Sequence, residues 1–384
     1  MLRVISSFAN AVSRRLYAPP LTFVVSRKEA HEPAERYKQG GFHPVRIGEV
    51  YKERYEVVRQ LGWGMYSTVW LVQDIKGQRP AAMKILLGNL MDEKSGWDER
   101  GMMQDIRDRN PQSPGYRHIV QLLDDFVIEG PNGNHITLVM EPMGATAFDF
   151  YRCLHGAMPL PIVKRISKHI LLGLQYLHDE CGMVHTDIKG ENILMSGESF
   201  PTAPKAMKLT IDDLLATTFK LGDIGSTNRA HDHFTKLIQP VALRAPEVII
   251  DAEWDSKADI WNFGCMMYEF ARGAKLFDPL WNNEEFGLNP NETHLAQING
   301  LLGQFSSRLL ERGADASIYF DENGRLRKGG DRYGIHIVDL LCRAGLPQED
   351  VLPTADFLLL ALSIDPEDRW SAAQLLQHPW LDGA

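Results

Sequence analysis

The chain has 384 residues, 44% of them hydrophobic and 24% charged, a length that suits about two domains or lobes and a composition that excludes disordered and membrane classes. A net charge of −9 argues against a chain-wide nucleic-acid surface and suits a basic partner. No apolar run reaches the roughly 18 residues of a membrane span. The four cysteines (Cys153, Cys181, Cys265, Cys342) form no CxxC pair, which sets zinc aside and favours a reduced compartment.

The first 28 residues carry Arg3, Arg14, Arg15, Arg27 and Lys28 with no acid before Glu29. At helical spacing Ile5, Phe8, Val12 and Leu16 share one face, with Arg3 and Arg14 opposite. Residues 1–36 therefore read as a mitochondrial transit segment or as a solvated basic arm. They are expected to be dispensable for catalysis, because strand signals begin only at Tyr55. Residues 37–54, punctuated by Gly40, Gly41 and Pro44, read as an extended lead-in.

From Tyr55 three β-rich runs follow, YEVVRQLGWG, STVWLVQD and PAAMKILLG, expected as successive antiparallel strands. A polar helix over 94–110 and two further strands, 118–130 and 135–144, complete a small sheet with one helix, at 55–143. Beyond Gly144 the period changes. Pro161 suits a first helical turn, and Ile162, Ile166, Ile170, Leu174 and Leu177 then mark one helical face. Further helices are expected at 258–272, 294–302, 354–362 and 372–378. The fold class is α+β: a small β-rich N-lobe and a larger helical C-lobe, 144–381, with a cleft between them.

Five constellations carry chemistry. In Leu61-Gly-Trp-Gly-Met-Tyr-Ser-Thr-Val69, Gly62 and Gly64 let backbone approach a phosphate closely, and Ser67 takes the place of a third glycine. Two glycines between strands also suit a plain hairpin turn. The strand-to-strand setting disfavours a dinucleotide-binding βα turn.

Lys84 stands inside the apolar strand Ala81–Ile85. A lysine there is ordinarily a snorkelling edge residue; as a phosphate ligand it needs a carboxylate to hold it, Glu99 or, as the alternative, Glu93. His185-Thr-Asp-Ile-Lys-Gly-Glu-Asn192 sets Asp187, Lys189 and Asn192 in one loop between apolar segments. Phosphoryl transfer rests on positioning and charge stabilisation. Asp187 can accept a hydroxyl proton, Lys189 can neutralise the transferring group, and Asn192 can hold a metal ion. Asp223-Ile-Gly225 adds a second metal ligand, a carboxylate, although D-x-G alone is an ordinary turn sequence. Glu247 of the stretch RAPE and Arg369 are expected to form a buried ion pair, and Asp259 to accept bonds from the catalytic-loop backbone.

In this order the residues resemble the eukaryotic protein-kinase superfamily over about 55–381. More narrowly, GGFHPVRIGEVY, LGWGMYSTVWLVQD, HTDIKGENIL, Ile238-Gln239, HLAQINGLLG and LLQHPWL resemble the SR-protein kinases of the CMGC group. The resemblance implies a bilobal serine/threonine kinase using ATP and Mg²⁺ and acting as a monomer on arginine–serine-rich splicing factors. It implies cytoplasmic or nuclear residence, with mitochondrial import the alternative. By the same resemblance Lys84 contacts the α- and β-phosphates, and Leu61, Val69, Glu141 and Met143 frame the nucleotide.

The chain departs from the family in several places. Thr186 replaces the common HRD arginine, Gly190 a proline and Ile224 the phenylalanine of DFG. The stretch between Asn192 and Asp223 is too short for the family's large spacer. The acidic docking positions near His294 are taken by Thr293 and Gly300, with only Glu292 nearby. A non-splicing substrate, and a pseudokinase scaffold, stand as the alternatives; intact Asp187, Asn192 and Asp223 disfavour the scaffold.

Overall fold

The structure is a computed structural model that describes residues 22–25, 32–88, 98–154, 156–196, 207–281, 283–330 and 334–384. Most of residues 1–31, and Glu93, lie outside this set. Within the N-terminal arm, β1 (Thr22–Val25) pairs antiparallel with β10 (Met207–Thr210) of the C-lobe.

Alternating side chains build the N-lobe. Strands β2 (Val50–Tyr51), β3 (Tyr55–Trp63), β4 (Ser67–Asp74), β5 (Arg79–Leu86), β6 (Leu122–Gly130) and β7 (Gly133–Met140) form one antiparallel sheet, ordered β2-β3-β4-β5-β7-β6. On β5 the period of two sends Met83 and Ile85 into an outer cluster with Tyr55, Val57 and Trp70. Ala82, Lys84 and Leu86 consequently share the opposite face, toward the cleft. The expected helix begins later than its polar run, as α1 (Glu99–Arg109), because Asp98 caps it by accepting from the Gly101 amide. The 118–130 strand is also shorter than expected: Tyr116–His118 is a 3₁₀ turn, and Val120 donates to Leu221 of the other lobe at 2.9 Å.

In the C-lobe, α3 (Leu160–Gln175) follows α2 (Ala147–Cys153), and Ile162, Ile166, Ile170 and Leu174 are all fully buried. This stripe packs toward α5 (Lys257–Arg272), which follows the short α4 (Pro246–Ile249) and is buried on nearly every side. Helix α6 spans Pro290–Leu302 rather than starting at His294; Asn289 and Glu292 form a capping box at its start. Helix α7 (Gln348–Ala361) starts well before Thr354 and carries Pro353 within it. The last expected helix stops at Leu375.

Short pairings set the catalytic loop. β9 (Ile193–Met195) pairs with β11 (Phe219–Leu221), and Gly222 donates to the Asn192 carbonyl at 2.9 Å. β8 (Met183–Val184) pairs with β12 (Asn228–Arg229) on the other side of the loop.

Candidate active site

A cavity of about 320 Å³ lies between the lobes, the size of a small-ligand site. Its lining brings together Leu61, Gly62, Gly64, Ser67, Val69, Lys84, Glu99, Glu141, Met143, Asn192 and Asp223, from six separate stretches of sequence. A Cβ on Gly64 would meet nothing within 4 Å, so no contact inside the protein demands glycine there. The open space suits a ligand that approaches the backbone.

Strand β5 and helix α1 meet at Lys84. Its Nζ bonds Glu99 Oε1 at 2.6 Å and Asp223 Oδ1 at 2.9 Å. Burial alone would discharge the ammonium, but Asp223 and Glu99 together hold its pKa above the ordinary lysine value. Lys84 in turn lowers the Asp223 carboxyl to about 2, against the opposing effect of burial. Asp223 has φ 56°, in the left-handed region, and its side chain remains half exposed to the cleft. Gly225 stands close by: a Cβ there would lie 3.2 Å from both Asp223 Oδ1 and Glu99 Oε2.

Across the cleft, Asn192 Nδ2 donates to the Asp187 carbonyl at 2.8 Å and to Asp187 Oδ2 at 3.0 Å. Lys189 Nζ reaches the same Oδ2 at 2.7 Å. The loop's backbone is held from below, since the His185 and Thr186 amides each donate to Asp259 at 2.7 Å. Thr186 sits at φ 66° and its Oγ1 donates to the Ser226 carbonyl at 2.6 Å. A hydroxyl therefore ties the catalytic loop to the segment after Asp223, where the usual arginine would await a phosphate. Gly190 has an equally local reason, because a Cβ there would press on Phe270 and Phe148 at 3.0 and 3.1 Å.

At the hinge, the Glu141 carboxylate accepts from Lys220 Nζ at 2.6 Å and from the Gln121 amide at 2.8 Å. Its side chain braces the hinge from behind, so only its backbone is left for a ligand. The sequence reading missed Ala82, Val120 and Leu194, which also line the cavity. Ala82 had a signal: it lies two residues before Lys84 on the same strand. It also missed Glu32 and Arg36. Gln60 donates to Glu32 at 2.9 Å, and Arg36 donates to the Met65 carbonyl at the tip of the glycine-rich loop. The cavity lining begins at Leu61, as expected, but these two residues reach the glycine-rich loop from before residue 37.

The donor set suits a nucleotide with its metal. One aspartate, Asp223, and one amide, Asn192, face a half-open cleft, a sparse set appropriate to an ion that shares its coordination with phosphates and water. Among the described residues no cluster of three or more His, Cys, Asp or Glu side chains could hold an ion alone.

The family model "Protein kinase domain" matches residues 55–381, and the chain belongs to the protein kinase family. It is a serine/threonine kinase of the SRPK-like type. It is 34% identical to the serine/threonine-protein kinase SRPK of Physarum polycephalum, with 91% of each chain covered. Identity is 27% to protein kinase dsk1 of Schizosaccharomyces pombe, covering 93% of this chain and 86% of that one. It is also 27% to SRSF protein kinase 3 of Homo sapiens, covering 93% and 91%. That last alignment runs over 521 positions against a chain of 384, so the human relative carries inserted residues that this chain lacks. The family uses ATP and a divalent metal ion.

Proposed function

We propose that this chain phosphorylates serine flanked by arginine in protein substrates, the arginine–serine-rich segments of splicing factors being the class its relatives' names point to. The observation that carries the reading is Glu191. It is exposed, borders the nucleotide cavity four residues after Asp187, and makes no ion pair among the described residues. Nearby Glu269 is raised above its ordinary value by burial, with Lys275 opposing and Glu191 adding to the shift. Glu191, in the same loop as the hydroxyl-accepting group and close enough to Glu269 for their charges to interact, attracts a cation beside the serine.

In this reading ATP supplies the γ-phosphoryl group and Mg²⁺ neutralises its charge. Asp223 and the Asn192 amide oxygen would hold the ion. Lys84, kept charged by Glu99, binds the α- and β-phosphates. Asp187 orients the serine hydroxyl and takes its proton, and Lys189 faces the charge on the transferred group. Backbone at Glu141 and Met143 receives the adenine edge, and Leu61 and Val69 cover its face.

A specific observation favours short over long arginine tracts. At the start of α6, Thr293 is buried and bonds Asn283 Oδ1 at 2.7 Å, while Glu292 is paired with Lys328 at 2.9 Å. Among the described residues that helix start presents no unpaired carboxylate to a docking peptide. The test compares an arginine–serine peptide with a neutral serine peptide, using wild type and Glu191→Gln. A KM that rises only for the basic peptide in the variant supports the reading. Equal use of both peptides by the wild type contradicts it.

A further inference from the structure

The stretch before the kinase sheet packs into the N-lobe through glycines at its tight contacts. Gly40 donates to the Asn132 carbonyl at 2.8 Å, Gly88 to the Gly41 carbonyl at 3.0 Å, and Asn132 Nδ2 to the Phe42 carbonyl at 2.6 Å. A Cβ on Gly41 would lie 2.0 Å from the Arg36 carbonyl, and one on Gly88 2.4 Å from that of Asn132. Phe42 is buried, with Tyr37 edge-on at 5.8 Å and the Arg36 guanidinium 4.8 Å from its ring centre. Two side chains reach from this anchored stretch to the glycine-rich loop. Glu32 accepts from Tyr37 and, at 2.9 Å, from Gln60, the residue just before Leu61. Arg36 donates to the carbonyl of Met65, an exposed residue at the loop tip.

We propose that Glu32 and Arg36 are positioning residues for nucleotide binding, holding the glycine-rich loop by its base and its tip from outside the cleft. The proposal rests on the kinase reading and adds residues outside the matched domain. Neither residue lines the cavity, so neither is a ligand contact. In a trans peptide the C=O and the following N–H point in opposite directions. Holding the Met65 carbonyl toward Arg36 thus turns the Tyr66 N–H away from the strap and fixes the peptide plane at the loop tip. Between Trp63 and Ser67 the loop is held by Gly64 donating to the Ser67 carbonyl at 2.8 Å and by Leu87 donating to the Tyr66 carbonyl at 2.9 Å, and its tip side chains are exposed. Ordering such a loop costs conformational entropy that binding must otherwise supply. A strap that orders it beforehand lowers the KM for ATP.

The test uses the full chain with a serine peptide as acceptor. Arg36→Ala is expected to raise the KM for ATP roughly fivefold, the size of one lost charge-assisted bond near the surface. The peptide KM should stay unchanged and kcat should change less than twofold. Arg36→Lys, which keeps one donor, should recover part of the effect. Amides at 62–67 should exchange faster with deuterium in Arg36→Ala, a readout independent of turnover, while the melting temperature stays put. An unchanged KM for ATP in folded Arg36→Ala overturns the proposal. So does an equal change in both KM values together with a lowered melting temperature, which makes the strap merely structural. Wild-type activity in the same assay separates either outcome from failure of the kinase reading.

Discussion

Glu247→Gln removes half of the most deeply buried ion pair in the described fold. Arg369 uses all five guanidinium N–H groups: Nη1 and Nη2 donate to the Glu247 carboxylate at 2.7 and 3.0 Å. The rest go to the carbonyls of Lys257 at 2.8 Å, Ser363 at 2.9 Å and Ile364 at 3.2 Å. Both side chains are 1% exposed or less, and the guanidinium carbon stands 5.1 Å from the ring centre of Trp261. Glutamine fits the space but leaves the guanidinium charge uncompensated and turns an amide N–H₂ toward donors. Breaking a buried pair this way costs about 3–5 kcal/mol. At roughly 2–4 °C per kcal/mol, the expected drop in melting temperature is about 10 °C. Below the transition, the KM for ATP should be unchanged, because neither residue lines the nucleotide cavity. Thermal unfolding by circular dichroism, with ATP kinetics at low temperature, measures both. The double variant Glu247→Leu/Arg369→Met should recover part of the loss, since it strands no charge. A melting temperature within 2 °C of wild type in Glu247→Gln would refute the reasoning.

Lys84→Met should abolish phosphoryl transfer while leaving the circular dichroism spectrum unchanged; near-normal single-turnover transfer contradicts the assignment. Activity should survive phosphatase treatment, because the Thr186 hydroxyl already ties the catalytic loop to the Ser226 carbonyl; loss of most activity on treatment rejects this. His294 is buried, its Nε2 has no partner, and burial, aided by Arg244, lowers its pKa to about 3. A depressed folded pKa means the unfolded chain takes up the proton first, so this contribution is complete above about pH 6.5 and is lost as pH falls toward 3. His294→Phe, packed on Phe277, should therefore flatten the fall in stability between pH 6 and 4.5 by about 1.4 kcal/mol per pH unit. Urea midpoints across that range measure it, and parallel curves for variant and wild type contradict it.

The site was legible where chemistry confines residue type and spacing. Asp187, Lys189 and Asn192 stand within one loop, so their mutual bonds follow from eight residues of sequence. Lys84 with Glu99 needed only a strand period and one helical turn, although the Asp98 cap that fixes where the helix begins carries no periodic signal. The fold was less legible where tertiary contacts override local pattern. Pro353 inside α7 masked the first turns of that helix, and the capping box at Asn289 precedes the apolar run by which α6 was recognised. The strap at 32–42 has one 3₁₀ turn, Ala34–Arg36, and is otherwise irregular. Its glycines read as breaks, yet Gly41 is there for close packing on the Arg36 carbonyl, and Gly88, which donates to the Gly41 carbonyl, for close packing on that of Asn132.

The central claim is that the Lys84, Asp187 and Asp223 arrangement transfers phosphate to serine. The most direct measurement follows γ-phosphoryl-labelled ATP onto a serine peptide with wild type, Asp187→Asn and Asp223→Asn, across a Mg²⁺ titration. Wild type should label serine, with both variants reduced by at least about 100-fold, the lower end of general-base contributions. Asp223→Asn alone should shift the Mg²⁺ midpoint upward, because it loses the metal carboxylate. Wild-type-like labelling by Asp187→Asn, or no labelling by a folded wild type with saturating ATP and Mg²⁺, would contradict the account.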